Sequence, residues 1–233
     1  MSNQVVVVSG AAGGLGREVV RAFLAQGAAV CALDNRQGRV TNFEDGLPGE
    51  INLFENIDLT DRMVVEPLAE AVHDRVGKVD VIVNTVGGFA YGETVHGLSF
   101  DTWERMMGLN VYSFLNLTSA FVPDLIEKGQ GKVISVGSGA SLKGSAKMGA
   151  YAAAKGALLR LTESMAAELL AYGIRVNCVL PGTIDTPKNR AEMPDADRSK
   201  WVSSQLIAET ILFLSSANAD AITGATIPVF GHP

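Results

Sequence analysis

Tyr151 and Lys155 stand four positions apart in GAYAAAKGALLRL, a stretch of small and apolar residues that reads as a helix. Positions i and i+4 share one helix face, so a phenol and an ammonium lie about a turn from each other. A free phenol near pKa 10 is a poor base at neutral pH, and burial raises it further. One cation about 4 Å away, at an effective dielectric near 20, is worth roughly 4 kcal/mol, or about three pKa units. The pairing therefore predicts a Tyr151 phenol brought down toward neutrality by Lys155, a usable acid–base group. An amphipathic surface stripe would carry the same two residues, and the context of the motif has to decide.

A second group of chemically suggestive residues lies near the start. Gly10, Gly14 and Gly16, in SGAAGGLG, follow an apolar β-rich run and open a helix that includes Leu15. Glycines there permit positive φ and let the backbone approach a pyrophosphate, which the unpaired N–H groups of a helix start stabilise. Asp34 follows the second apolar run, 18 residues after Gly16. In a dinucleotide fold a carboxylate at this point accepts hydrogen bonds from the adenosine ribose and repels a 2′-phosphate. Arg36 is close by, but position 13 is a glycine and adds no cation on the phosphate side. NAD(H) is thus favoured over NADP(H).

The elements that would position these residues alternate along the chain. The runs QVVVVS, AAVCALD, INLFENID, VDVIVN, GKVISVG, IRVNCVL and ATIPVF read as strands. Helical patterns at 14–27, 60–76, 99–127, 149–172 and 203–216 separate most of them. Nearly continuous apolar strands alternating with helices predict an α/β fold, a seven-stranded, mainly parallel sheet with helices on both faces. No repeat or linker divides the chain, so residues 1–233 are read as one domain. Residues 35–50 have no helical period and are expected to be irregular. Residues 183–202 form a polar insertion with two prolines and eight charged side chains, expected to be a substrate lid, with 88–98 as the alternative.

Composition narrows the function. The chain has a net charge of −6 with scattered basic residues, which argues against nucleic acid as a partner. Cys31 and Cys178 sit in apolar segments and read as buried free thiols in a reducing compartment. His73, His96 and His232 are far apart in sequence, and no local metal motif is present. The first apolar run is four residues long, too short for a signal peptide, and no stretch approaches a membrane span. A cytoplasmic location is expected.

Taken together, the glycine loop, Asp58 before Leu59, Asn84 with Gly87 and Gly88, Asn110, Ser138, Tyr151, Lys155 and the Pro181–Gly182 pair resemble the short-chain dehydrogenase/reductase family over nearly the whole chain. The resemblance implies a Rossmann fold and a nicotinamide cofactor. It implies Tyr151 as proton donor or acceptor and Lys155 as its cation, also holding the nicotinamide ribose. Ser138 would bind the substrate oxygen, and Asn110 would position a water between Lys155 and solvent. Asp58 and Asn84 would border the adenosine, and Thr183 and Thr186 the nicotinamide. Asp58 and Thr60 also read as an N-cap pair for helix 60–76. Helices 99–127 and 149–172 would pair between subunits, giving a homodimer or homotetramer.

Two departures stand out. The chain reads NTVGG where many members of that family read N-N-A-G, and it stops at Pro233, just after the last strand, with no tail to cover the site. The lid segment IDTPKNRAEMPDADRSKW, with Asp185, Pro187, Asn189, Arg190 and Trp201, resembles the corresponding piece of dihydropteridine reductases. Those enzymes keep the Tyr and Lys but generally lack the serine and asparagine found here at Ser138 and Asn110. Three functions follow: a carbonyl or secondary-alcohol oxidoreductase acting on a small molecule, a pterin reductase, and a dinucleotide-binding sensor without catalysis. The first accounts for the most residues.

Overall fold

The computed structural model describes residues 4–38, 49 and 51–231. Residues 39–48 and 50 of the expected irregular connection, and His232, lie outside the described residues.

Seven strands form one sheet in the order β3-β2-β1-β4-β5-β6-β9, and every pairing is parallel. They are β1 (Val5–Ser9), β2 (Ala29–Leu33), β3 (Ile51–Phe54), β4 (Val81–Asn84), β5 (Gly131–Val136), β6 (Ile174–Pro181) and β9 (Thr226–Val229). The expected sheet is therefore present. Its continuous apolar strands follow from coverage on both faces. Successive residues of β1 alternate between two cores, because strand side chains point to opposite faces. Val6 and Val8 pack with helices α1 (Gly14–Ala25) and α8 (Ser204–Leu214). Val5 and Val7 pack with α3 (Leu68–Arg75), α5 (Ser113–Lys128) and α6 (Gly149–Leu169). The chain order reverses between β1 and β4, so their carboxyl ends open a crevice.

Several elements differ from the sequence expectation. The helix expected at 60–76 is two: α2 (Arg62–Val65) and α3, separated at Pro67, whose ring and missing N–H interrupt the helical ladder. The side chain that caps α2 is Asp61, which accepts from the Met63 N–H at 2.9 Å. Asp58 instead turns back on Thr60, accepting from its N–H at 2.9 Å and its hydroxyl at 2.7 Å.

The helix expected at 99–127 is α4 (Phe100–Met107) and α5, joined by a π-helical turn at Gly108–Tyr112. Helix α6 ends at Leu169, three residues before the expected limit, in a 3-10 turn closed by Gly173 at φ 72°. The polar insertion 183–202 is more ordered than a loop. It holds α7 (Pro187–Glu192) and a two-stranded sheet, β7 (Ile184–Asp185) on β8 (Val202–Ser203).

Candidate active site

Three glycines of the loop have a steric reason to be there. Gly10 turns the chain out of β1 at φ 65°, a conformation that favours glycine. A Cβ on Gly16 would come within 2.1 Å of the Gly10 carbonyl oxygen, so the first turn of α1 can press onto the loop only without one. A Cβ on Gly14 would meet the Thr186 methyl at 2.8 Å, and this contact brings the 183–202 segment against the loop. Leu15 is buried beneath it, and Gly13 caps α1 with no side-chain bond to the first N–H groups. Thr85, one of the departures from N-N-A-G, donates its hydroxyl to the Ser9 carbonyl at 2.6 Å and so ties the end of β4 to the loop.

Asp34 follows β2, only 9% exposed, and one of its carboxylate oxygens accepts from the Ala12 N–H of the loop at 3.0 Å. It opens onto a cleft of about 400 Å³ that also collects Gly10, Asp58, Leu59, Gly87, Gly88 and Phe89. Arg36, Arg105 and Lys188 line the same cleft. A crowded glycine cradle and an acid at the end of β2, both lining one cleft, fit a dinucleotide.

Asn84, by contrast, is buried in the sheet, where its side-chain oxygen accepts from the Ser9 hydroxyl at 2.7 Å. Its Nδ2 finds no partner among the described residues. Pro181 ends β6, and the Gly182 N–H donates to the Val229 carbonyl at 3.2 Å. The Thr183 carbonyl accepts from Val202, and Thr186 caps α7 by accepting from the Asn189 N–H at 3.1 Å. Sequence reading left out Phe89, Arg105 and Lys188 as site residues, since no spacing rule links these loop and helix positions to the crevice.

Behind Gly87 and Phe89, which line the cleft, lie the residues of the opening motif. The Lys155 Nζ donates to the Val136 carbonyl at 2.7 Å, and the side chain is buried. Burial lowers its pKa to about 8, opposed by the neighbouring Cys178. The π turn carries Asn110, which is fully buried and clamps the Gly88 peptide, accepting from its N–H at 3.1 Å and donating to its carbonyl at 3.2 Å. A Cβ on Gly87 would lie 2.9 Å from the Asn110 side-chain oxygen and 3.0 Å from Lys155 Nζ, so the two polar groups converge on one glycine. Such turns are frequent at functional sites.

Ser138 follows β5 in extended conformation and caps a 3-10 turn by accepting from the Ala140 N–H at 3.2 Å. Tyr151 packs edge-on against Phe89, ring centroids 5.0 Å apart.

The direction of the Tyr151 shift corrects the sequence expectation. Burial raises its pKa, and the nearby Ser138 hydroxyl only partly offsets that. Lys155 is not among the groups that set the sign, which burial of the phenol decides. At neutral pH the phenol is therefore protonated.

The Lys155 charge has the opposite pH sensitivity: its folded pKa is depressed, so the ammonium is present below about 8 and lost as pH rises through that value. A rate that depends on the ammonium should fall above this pH. In Lys155→Arg, where the cation does not titrate, that falling limb should move up by about one unit or more. A limb unchanged in the arginine variant would assign it to another group.

The short chain dehydrogenase family pattern matches residues 4–197. The meso-2,3-butanediol dehydrogenase of Serratia marcescens is 31% identical over 238 residues, covering 98% of this chain and 94% of that protein. A 3-oxoacyl-[acyl-carrier-protein] reductase of Thermotoga maritima is 28% identical, covering 99% of this chain and 98% of its own. Among solved structures, carveol dehydrogenase from Mycobacterium avium in complex with NAD superposes with a TM-score of 0.87 at 25% identity, covering 98% of this chain and 96% of that one.

Proposed function

The chain belongs to the short-chain dehydrogenase family, and from that premise we propose that it is an NAD(P)-dependent oxidoreductase interconverting a small ketone and its secondary alcohol, with Tyr151 as the acid–base group. One observation carries this reading: Phe89 both lines the cleft and packs against Tyr151, so a protonated phenol stands one side chain away from the cleft. A bound nicotinamide dinucleotide supplies or accepts the hydride.

The glycine loop, Asp34, Asp58, Leu59, Gly87, Lys155 and the segment Pro181–Thr186 hold that cofactor. Tyr151 gives its proton to the substrate oxygen on reduction and takes it back on oxidation. Ser138 holds the same oxygen, and Lys155 keeps a positive charge beside the phenol. Asn110, locked to Gly88, borders Lys155 and orders its polar surroundings. Residues 183–202 cover the substrate, and their contact with Gly14 through Thr186 supports that role.

The Ser138 hydroxyl acts on the Tyr151 phenol, partly offsetting its raised pKa, and two neighbouring hydroxyls suited to one substrate oxygen favour a carbonyl substrate over a pterin. A homo-oligomer is supported by the exposed apolar side chains Phe100, Tyr112 and Leu115 on α4, the π turn and α5. The buried free thiols Cys31 and Cys178 accord with a cytoplasmic location. Among the described residues no helix is long and apolar enough to cross a membrane.

NADH oxidation tested against ketones, 3-oxoacyl thioesters, quinones and a quinonoid dihydropterin examines the reading directly. Turnover is expected with a ketone class. Tight dinucleotide binding with no turnover of any of these would favour a sensor.

Cofactor choice has its own test. With one Asp34 oxygen occupied by Ala12, the other is free to accept from a ribose hydroxyl and to repel a 2′-phosphate. NADH should bind more tightly than NADPH, and Asp34→Ala should narrow the gap by roughly tenfold, the worth of one hydrogen bond to a charged group. Fluorescence titration of both cofactors measures it. A wild-type preference for NADPH would mean that Arg36 governs the pocket.

A further inference from the structure

A second cavity, of about 350 Å³, adjoins the cleft and shares Phe89 and Arg105 with it. Its walls come from the loop after β4 (Phe89, Ala90, Tyr91), from α4 (Thr102, Arg105) and from residues 147–150 just before Tyr151. The two cations on this wall, Arg105 and Lys147, are exposed and enter no ion pair among the described residues. By comparison, the lid cations Arg190 and Lys188 are paired, with Asp185 and Glu192.

The one carboxylate in the cavity, Glu93, is already engaged. It accepts from the Ser99 N–H at 2.8 Å and the Thr102 hydroxyl at 2.8 Å, and these bonds, with a smaller contribution from the Arg105 charge, hold its pKa below the usual range. The cavity therefore keeps a net positive balance in a chain of net charge −6.

Lys147 is also one of only two non-glycine residues with positive φ among those described, at 63°. A left-handed lysine is strained, and strain of this kind concentrates at ligand-binding sites. Its carbonyl accepts from the Gly92 N–H at 2.9 Å, which fixes the 88–98 loop to the residues preceding Tyr151.

We propose that this cavity receives an oxyanion, a carboxylate or a phosphate, carried by the substrate whose carbonyl lies at Tyr151. The apolar part of the substrate passes Phe89, 57% exposed at the junction of the two cavities. Arg105 and Lys147 take the charged end. The inference rests on the oxidoreductase reading and narrows its substrates to oxo acids or sugar-phosphate-like ketones.

The test pairs substrates that differ only in charge: 4-oxopentanoate against 2-pentanone, 5-oxohexanoate against 2-hexanone, and dihydroxyacetone phosphate against dihydroxyacetone. At least one anionic member is expected to exceed its neutral partner in kcat/KM by tenfold or more, with an advantage that shrinks as salt is added. The pair that shows the effect distinguishes carboxylate from phosphate.

Lys147→Gly removes the charge while giving φ 63° to a residue that tolerates it. It is expected to lower that preference about fivefold, as for a partly exposed ionic contact. Calorimetric binding of 4-oxopentanoate and of inorganic phosphate to wild type and variant provides a readout independent of turnover. Neutral ketones reduced as well as their anionic partners, or a preference changed less than twofold by Lys147→Gly, would overturn the inference while leaving the oxidoreductase reading intact. If no ketone is reduced, the functional reading fails, and anion binding weakened by Lys147→Gly would still support the site.

Discussion

Tyr151→Phe is expected to lower carbonyl-reduction turnover at least about a hundredfold while leaving thermal stability and NADH affinity nearly unchanged. The asymmetry follows from what the hydroxyl touches. The ring packs edge-on against Phe89, a contact that phenylalanine keeps. Lys155 donates to the Val136 carbonyl, so its position does not depend on the phenol. Ser138 retains the Ala140 N–H as a partner. Only the proton is lost, and with burial holding the phenol in its neutral form, the proton is what the residue contributes to reduction. Steady-state kinetics with a ketone, beside a cofactor titration and a melting curve, separates the effects. Near-normal turnover would return Tyr151 and Lys155 to a structural stripe.

The sheet was legible in the sequence because each strand is a short apolar run between punctuating residues, and coverage on both faces leaves no alternation to confuse the pattern. The helices were legible in place but not in continuity. Pro67 splits one, and the π turn at Gly108–Tyr112 interrupts another without any proline to announce it. That turn buries Asn110, which periodicity alone would leave on a polar helix face.

The glycine loop and Asp34 were readable from their spacing to neighbouring strands, since backbone geometry imposes those glycines. The sign of the Tyr151 shift was not readable. It is set by how deeply the fold buries the phenol, which the four-residue spacing to Lys155 does not encode. Arg105 and Lys147 were equally silent, because they meet across a cavity formed by α4 and the start of α6.

Ser138→Ala separates a carbonyl substrate from a pterin. In ketone reduction, negative charge develops on the substrate oxygen as hydride arrives, and a hydroxyl fixed there binds the transition state more tightly than the ground state. Loss of such a donor typically costs about 10²–10³ in turnover. A quinonoid pterin spreads the incoming charge over several ring heteroatoms, so one hydroxyl matters less, and any dihydropterin activity should change less than tenfold. Ser138 also caps the turn Gly139–Ser141 through Ala140, and alanine would remove that bond as well, at about 1 kcal/mol. Ser138→Thr controls for this, because it restores a hydroxyl able both to cap and to donate. Ketone turnover should collapse in the alanine variant and recover substantially in the threonine variant, both measured against dihydropterin on the same preparations. Should ketone turnover survive the alanine substitution while dihydropterin turnover collapses, Ser138 does not bind a carbonyl oxygen, and the lid resemblance identifies the substrate instead.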